Sequence, residues 1–536
     1  MNKQLYFNGN ILTMTDDIYV EALLVSEGKI EKVGTKEALW ALKDEKTELI
    51  DLQGKTLMPA FIDPHSHLTA LGSTMVLASL EEVHSFEALK EKMKTFMANK
   101  DLKEGEWVIG FGFDQNRLQE QAFPTAAVLD EVSTSHPILI SHASGHIGIV
   151  NTLGLEKLGI TAESKDPQGG KIGRMDDGKT PNGYLEETAF ISVATKVPQQ
   201  SFEDQLKAIE AAQKVYLSYG ITTVQEGIVH EEEMKKLSAL AENNRLLVDV
   251  IGYVDIKNNK ALIKEYPGYV KQYQHRLKIG GYKLFLDGSP QGKTAWVTKS
   301  YEGESTYKGY PVYKDEEVKA FAETAVKEKI QLITHCNGDA AADQLIQSFK
   351  QVKEEGEKTE AIRPVMIHAQ LVRHDQLPSM KAIGMIPSYF VAHTYYWGDI
   401  HLKNFGKERA EHISPLHASL EEGVRFTLHQ DTPVIAPNML ETVWCAVNRQ
   451  TKEGIILGEE ECISPLEALK AVTIHSAYQY FEEDRKGSLE EGKLANLIIL
   501  DQNPLTIDPM KIKDIRVLET IREGETLYKI DEKDKK

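Results

Sequence analysis

Between residues 222 and 428 the chain alternates short apolar runs with amphipathic helical patterns, and this alternation limits the fold more than any other feature. The runs lie at 222–224, 247–254, 279–286, 331–334, 365–367, 385–389 and 425–428, with helical patterns such as 316–328 and 340–354 between them. Continuous apolar strands joined by helices are the mark of a buried parallel sheet. The number of repeats favours an α/β fold of the (β/α)8 TIM-like barrel type.

An earlier apolar run, Met58-Pro59-Ala60-Phe61-Ile62, leads into Asp63-Pro64-His65-Ser66-His67. Two histidines at i and i+2 of a strand point to one face, about 7 Å apart at the backbone. Neutral imidazole is a common metal ligand, so the pair can share one ion or can be two ordinary polar residues in a loop. Later strands add to it. Lys283 interrupts an apolar run, His335 and His368 follow two others, and Asp431 follows Phe426-Thr427-Leu428-His429-Gln430. In a barrel these strand ends converge on one mouth, where barrel active sites lie.

The two ends of the chain have a different texture. Short strand patterns at 4–7, 18–26 and 29–33 are broken by Asn8-Gly9-Asn10 and Glu27-Gly28, and similar patterns return at 494–500 and 515–518. The expected organisation is a small β domain from residues 1–58 and 485–536 and a barrel over 59–484. An insertion at about 75–215 is too long for a loop and carries helix and strand patterns of its own.

Charge and cysteine content exclude several classes. With 62 basic and 81 acidic residues the net charge is −19, which repels phosphate backbones and anionic lipid. Nucleic acid and membrane partners are therefore not expected. Cys336, Cys445 and Cys462 cannot form a disulfide framework and lack CxxC spacing, and the N-terminal residues have no signal-peptide pattern. A cytoplasmic location fits both observations.

The ordered set HxH, Lys, His, His, Asp resembles the amidohydrolase superfamily, and within it the YtcJ-like branch of metal-dependent hydrolases (amidohydrolase family 3). Gly183-Tyr184-Leu185-Glu186-Glu187, Lys283-Leu284-Phe285-Leu286-Asp287-Gly288-Ser289, His335-Cys336-Asn337-Gly338-Asp339 and Asp431-Thr432-Pro433-Val434 carry the same likeness. The resemblance implies a β-sandwich of both chain termini beside a metal-bearing barrel. It implies His65 and His67 on a more buried metal, His335 and His368 on a more exposed one, and Asp431 as ligand and general base. Lys283 would be the carbamylated lysine that bridges two ions, or an ammonium that binds substrate if only one is held. Zinc is the default ion for so many imidazoles, with iron or manganese as alternatives. The final aspartate departs from the family pattern, since His429-Gln430 stands where Gly-Ser is usual.

The activity expected is hydrolysis of a non-peptide C–N bond, amide or N-acyl, in a small molecule by metal-activated water. A deaminase, a C–O hydrolase and a metal-free homologue are the alternatives. His146, Phe113, Asp114, Trp296 and His393 are the substrate-binding candidates, with Tyr389, Glu186 and Glu187 weaker. Oligomeric state is not legible in the chain, although relatives often pair as homodimers through edges of the β domain.

Overall fold

A computed structural model describes residues 3–100, 102–144, 146–194, 196–197 and 201–531. The chain divides into two compact units, one made of residues 1–69 with 212–536 and the other of residues 70–211.

The first unit contains a TIM-like α/β sheet of eight parallel strands whose spatial order follows the sequence. These are β1 (Phe61–Ile62), β2 (Ile221–Val229), β3 (Asp249–Asp255), β4 (Leu277–Phe285), β5 (Gln331–Cys336), β6 (Val365–His368), β7 (Ile386–Tyr389) and β8 (Thr427–Leu428). Helices Asp315–Glu328 and Asp339–Glu354 flank β5 in the chain and lay their apolar faces inward through Val318, Ala322 and Leu345. Ile62, Ile251, Tyr253, Ile333, Val365, Ile367 and Ile386, all on these strands, form one apolar cluster.

The first and last strands meet beyond their ends. Asp431 N–H donates to His65 O at 3.2 Å, and His67 N–H donates to Thr432 O at 2.8 Å. Strand β1 is only two residues long because Pro64, with no N–H, cannot continue the ladder. His65 and His67 therefore stand in the segment just past the strand and not within it.

The unit also holds an eight-stranded sheet drawn from both chain ends. Its path runs Glu525–Lys529, Val517–Arg522, Leu497–Leu500, Thr56–Pro59, Gln4–Leu12, Tyr19–Ser26 and Lys29–Gly34, with Glu48–Asp51 beside Gln4–Leu12. Alternation along Tyr19–Ser26 separates its two faces. Leu23 and Val25 pack with Leu57, Leu497 and Ile499, whereas Ala22 and Leu24 pack with Leu5 and Leu39. A buried charged cluster lies at Lys486, whose Nζ reaches Asp249 at 2.6 Å and Glu482 at 2.8 Å, and Lys278 also pairs with Glu482.

The second unit has its own six-stranded sheet, ordered Gly170–Arg174, Pro181–Glu187, Ile147–Val150, Ile138–His142, Val108–Phe113 and Ala78–Ser79. Two apolar clusters serve it, one around Leu80, Met93 and Ile140 and another around Leu139, Leu155 and Leu185.

Candidate metal centre

The segment after β1 and the segment after β8 bring three candidate ligands together, two imidazoles and a carboxylate. One ligand atom each from His65, His67 and Asp431 lies within 4.8 Å of the other two. Asp431 Oδ1 is 3.4 Å from Nε2 of both histidines, whose rings stand 5.2 Å apart at 75°. His368, at the end of β6, places Nε2 3.9 Å from Asp431 Oδ2, and its ring is 4.6 Å from that of His335. Side-chain exposures of 1 and 21 % for His65 and His67, against 17 and 6 % for His335 and His368, do not rank the two pairs by depth.

Each imidazole is held by a particular neighbour. Gln225, on β2, donates from Nε2 to Pro64 O and Tyr480 Oη, so its Oε1 is left to accept from His65 Nδ1 at 2.5 Å. That bond puts the proton on Nδ1 and turns the Nε2 lone pair toward Asp431. Glu226, 1 % exposed, accepts Thr69 N–H at 2.7 Å and lies 3.8 Å from His67 Nδ1. His368 Nδ1 is 3.1 Å from His429 Nε2, and His429 Nδ1 is 2.9 Å from Ser388 Oγ. In the tautomer that leaves His368 Nε2 free, the two histidines donate in turn and Ser388 Oγ accepts.

Asp287 organises the neighbouring loops. It accepts N–H groups from Trp296 at 3.0 Å, Asn337 at 2.9 Å and Gly338 at 2.7 Å, and lies 3.6 Å from His335 Nδ1. Glycine is required at 338, because a Cβ there would meet the Trp296 carbonyl oxygen at 1.8 Å.

Burial keeps three imidazoles, His65, His368 and His429, in the neutral form. Burial, then Lys283, holds His65 well below the ordinary histidine value, and burial followed by His335 does the same to His368. Burial lowers His429 to about 3 against the pull of Asp431, so it adds no titrating group near neutrality. Burial disfavours the His67 cation, but Asp431 and Glu226 outweigh it and lift its pKa to about 9. Lys283 falls to about 7 through burial, against the attraction of Asp431.

The residues fit a divalent ion. Lys283 Nζ, His335 Nδ1 and Asp431 Oδ1 are shielded from solvent and have no hydrogen-bond partner among the described residues. Buried polar atoms without partners are costly, and a cation that takes lone pairs from imidazole and carboxylate together would satisfy them. Asp431 and His368 also hold left-handed φ angles of 55° and 72°. Such conformations cost on the order of 1–3 kcal/mol each in non-glycine residues and cluster at functional sites.

The other candidates distribute differently. Trp296 is tied through its backbone to Asp287. His393 is buried against Phe390 and Trp397, with Nδ1 3.0 Å from His401 Nε2, and Tyr389 Oη bonds Ser419 Oγ at 2.8 Å. Phe113, Asp114, His146, Glu186 and Glu187 belong to the second unit. There Phe113 is fully buried in the apolar cluster, Asp114 accepts Asn116 N–H at 2.9 Å, and His146 Nδ1 lies 3.0 Å from Glu187 Oε2. Glu186 Oε2 accepts from Tyr184 Oη.

The model of the Amidohydrolase family matches residues 48–528, and the chain belongs to that family. It is 28% identical to the N-substituted formamide deformylase of Arthrobacter pascens, over 98% of both chains. It is 24% identical to the putative amidohydrolase YtcJ of Bacillus subtilis, over 98% of this chain and 99% of that one. An uncharacterized metal-dependent hydrolase from Pyrococcus furiosus superposes with a TM-score of 0.74 at 28% identity, covering 94% of this chain and 100% of the other.

Proposed function

We propose that this amidohydrolase-family chain is a metal-dependent hydrolase that opens the C–N bond of a small N-substituted formamide or related N-acyl compound. The observation that carries the reading is the meeting of His65, His67 and Asp431, with their ligand atoms within 4.8 Å, beside the unpartnered amine of Lys283. The formamide class is suggested by the similarity to a deformylase along almost the whole of both chains.

His65, His67 and Asp431 would hold one divalent ion, and His335 and His368 a second, with zinc the first choice for imidazole ligands. A bound ion supplies a Lewis acid that lowers the pKa of water and polarises the scissile carbonyl. Asp431 takes the proton from the attacking water, whose oxygen bonds to the carbonyl carbon. As the C–N bond breaks, Asp431 returns the proton to the departing nitrogen, giving an amine and formate. Gln225, Glu226 and His429 hold the imidazoles in register for this. At neutral pH a pKa of about 7 leaves much of Lys283 as the free amine, the form that adds carbon dioxide to give a carbamate and release a proton. Its two oxygens could bridge two ions.

The test is a panel of N-substituted formamides, N-acyl amino acids, cyclic amides, cyclic amidines and esters, with products identified by mass spectrometry. Amine and formate release by the native protein, lost in Asp431→Asn, supports the reading. Turnover of esters or amidines alone contradicts it.

A further inference from the structure

We propose a second, separate site for a divalent transition ion, held by His374, His412 and Glu461. One ligand atom from each of the three lies within 4.8 Å of the other two. They come from separate elements: His374 opens the 3-10 turn His374–Gln376, His412 caps helix His393–Glu411, and Glu461 closes the turn Glu459–Glu461. None is shared with the centre around Asp431.

Glu461 is built as a ligand would be. Its side chain is 1 % exposed, and Oε2 accepts the N–H groups of His417 at 2.9 Å and Ala418 at 3.1 Å, in the first turn of helix Leu416–Glu422. Oε1 is thereby aimed outward at His374 Nε2, 2.6 Å away. A carboxylate fixed by outer hydrogen bonds, with one oxygen left for the ion, is the usual arrangement around a bound metal.

The two imidazoles make the acceptor outward-facing and accessible. Their centroids are 5.0 Å apart at 73°, and their side chains are 48 and 45 % exposed, so an ion can enter and water can complete its shell. A plain His374–Glu461 hydrogen bond does not involve the second, edge-on imidazole of His412. A further carboxylate oxygen, from Glu460, stands 3.7 Å from His412 Nδ1. A cavity of about 200 Å³ adjoins both histidines, with Arg373 and Arg409 in its lining. Neither guanidinium opposes a cation with a free charge. Arg373 is paired with Asp339, Asp343 and Asp375, and Arg409 donates to the Lys299 and Ser300 carbonyls and pairs with Glu302. Two imidazoles and one carboxylate with an open position suit zinc, cobalt or nickel better than calcium or magnesium.

Equilibrium dialysis of the full-length, chelator-stripped protein against zinc chloride, followed by elemental analysis, tests the site. The expected result is one zinc per chain fewer in His374→Gln/His412→Gln than in the native protein, with formamide turnover unchanged. Equal zinc content in the two proteins overturns the site. The single variant His412→Gln, read by cobalt absorption, guards against misfolding of the double variant. A loss or shift of one cobalt band relative to native protein supports the proposal, and an unchanged spectrum overturns it.

Discussion

Gln225 accepts the Nδ1–H of His65 at 2.5 Å, and this one bond decides which imidazole nitrogen faces Asp431. Gln225→Leu removes the acceptor and leaves Nδ1 unpartnered in a buried site. Loss of such an outer partner typically costs about 10–100-fold in metal affinity. Zinc competition with a chromophoric chelator measures it, and an affinity within twofold of native would show that His65 is oriented by other means.

Gly227 lies two residues beyond Gln225 on β2, and its N–H donates to Ser66 O at 2.8 Å. A Cβ at this position would meet His65 Cε1 at 2.7 Å and His67 Cε1 at 2.8 Å. Gly227→Ala must displace both rings, so zinc affinity is expected to fall at least tenfold. Thermal unfolding should report a loss of about 1–3 kcal/mol, the usual cost of overpacking.

Lys283 should separate stability from activity. Its Nζ is buried with no hydrogen-bond partner among the described residues, so it does little to hold the metal-free fold together. Replacing a buried polar group by an apolar one of similar shape is nearly neutral or stabilising. Lys283→Met is therefore expected to keep or raise the melting temperature of the stripped protein while turnover of the metal-loaded protein falls at least a hundredfold. A large drop in melting temperature would contradict this.

Glu482 should set part of the acid limit of the fold. Burial opposes its charge, but Lys486 and Lys278 outweigh burial and hold its pKa to about 2, below the ordinary 4.5. The folded carboxyl is the stronger acid, so its stabilisation is complete above pH 4.5 and is lost as pH falls toward 2. Urea unfolding across that window should show a steep decline in the native protein, and Glu482→Gln should flatten it. Parallel curves would remove Glu482 from the account.

The parallel sheet of the TIM-like α/β fold is legible because buried parallel strands are written as continuous apolar runs. Of the polar residues that follow such runs, His65, His67 and Asp431 are brought together, and Lys283 stands out as a charge inside one. Their partners are not legible in this way. Gln225 meets His65 across a separation of 160 residues, and a glutamine inside a strand carries no local sign of it. Asp287 and Gly338 stand within sequence motifs, yet their role as the knot of two loops depends on close backbone approach that no spacing reveals. His429 departs from the family pattern, and only the fold supplies His368 and Ser388 as its neighbours. In the second unit Phe113 follows strand spacing into an apolar cluster, the ordinary outcome for an aromatic in such a run.

In the proposed function the converging histidines and Asp431 work through a divalent ion. The most direct test is formamide turnover by chelator-stripped protein before and after addition of stoichiometric zinc, manganese or iron. At least a thousandfold loss on stripping, with recovery on adding one of these ions, is the expected result. Full turnover by protein shown by elemental analysis to be free of metal would contradict it.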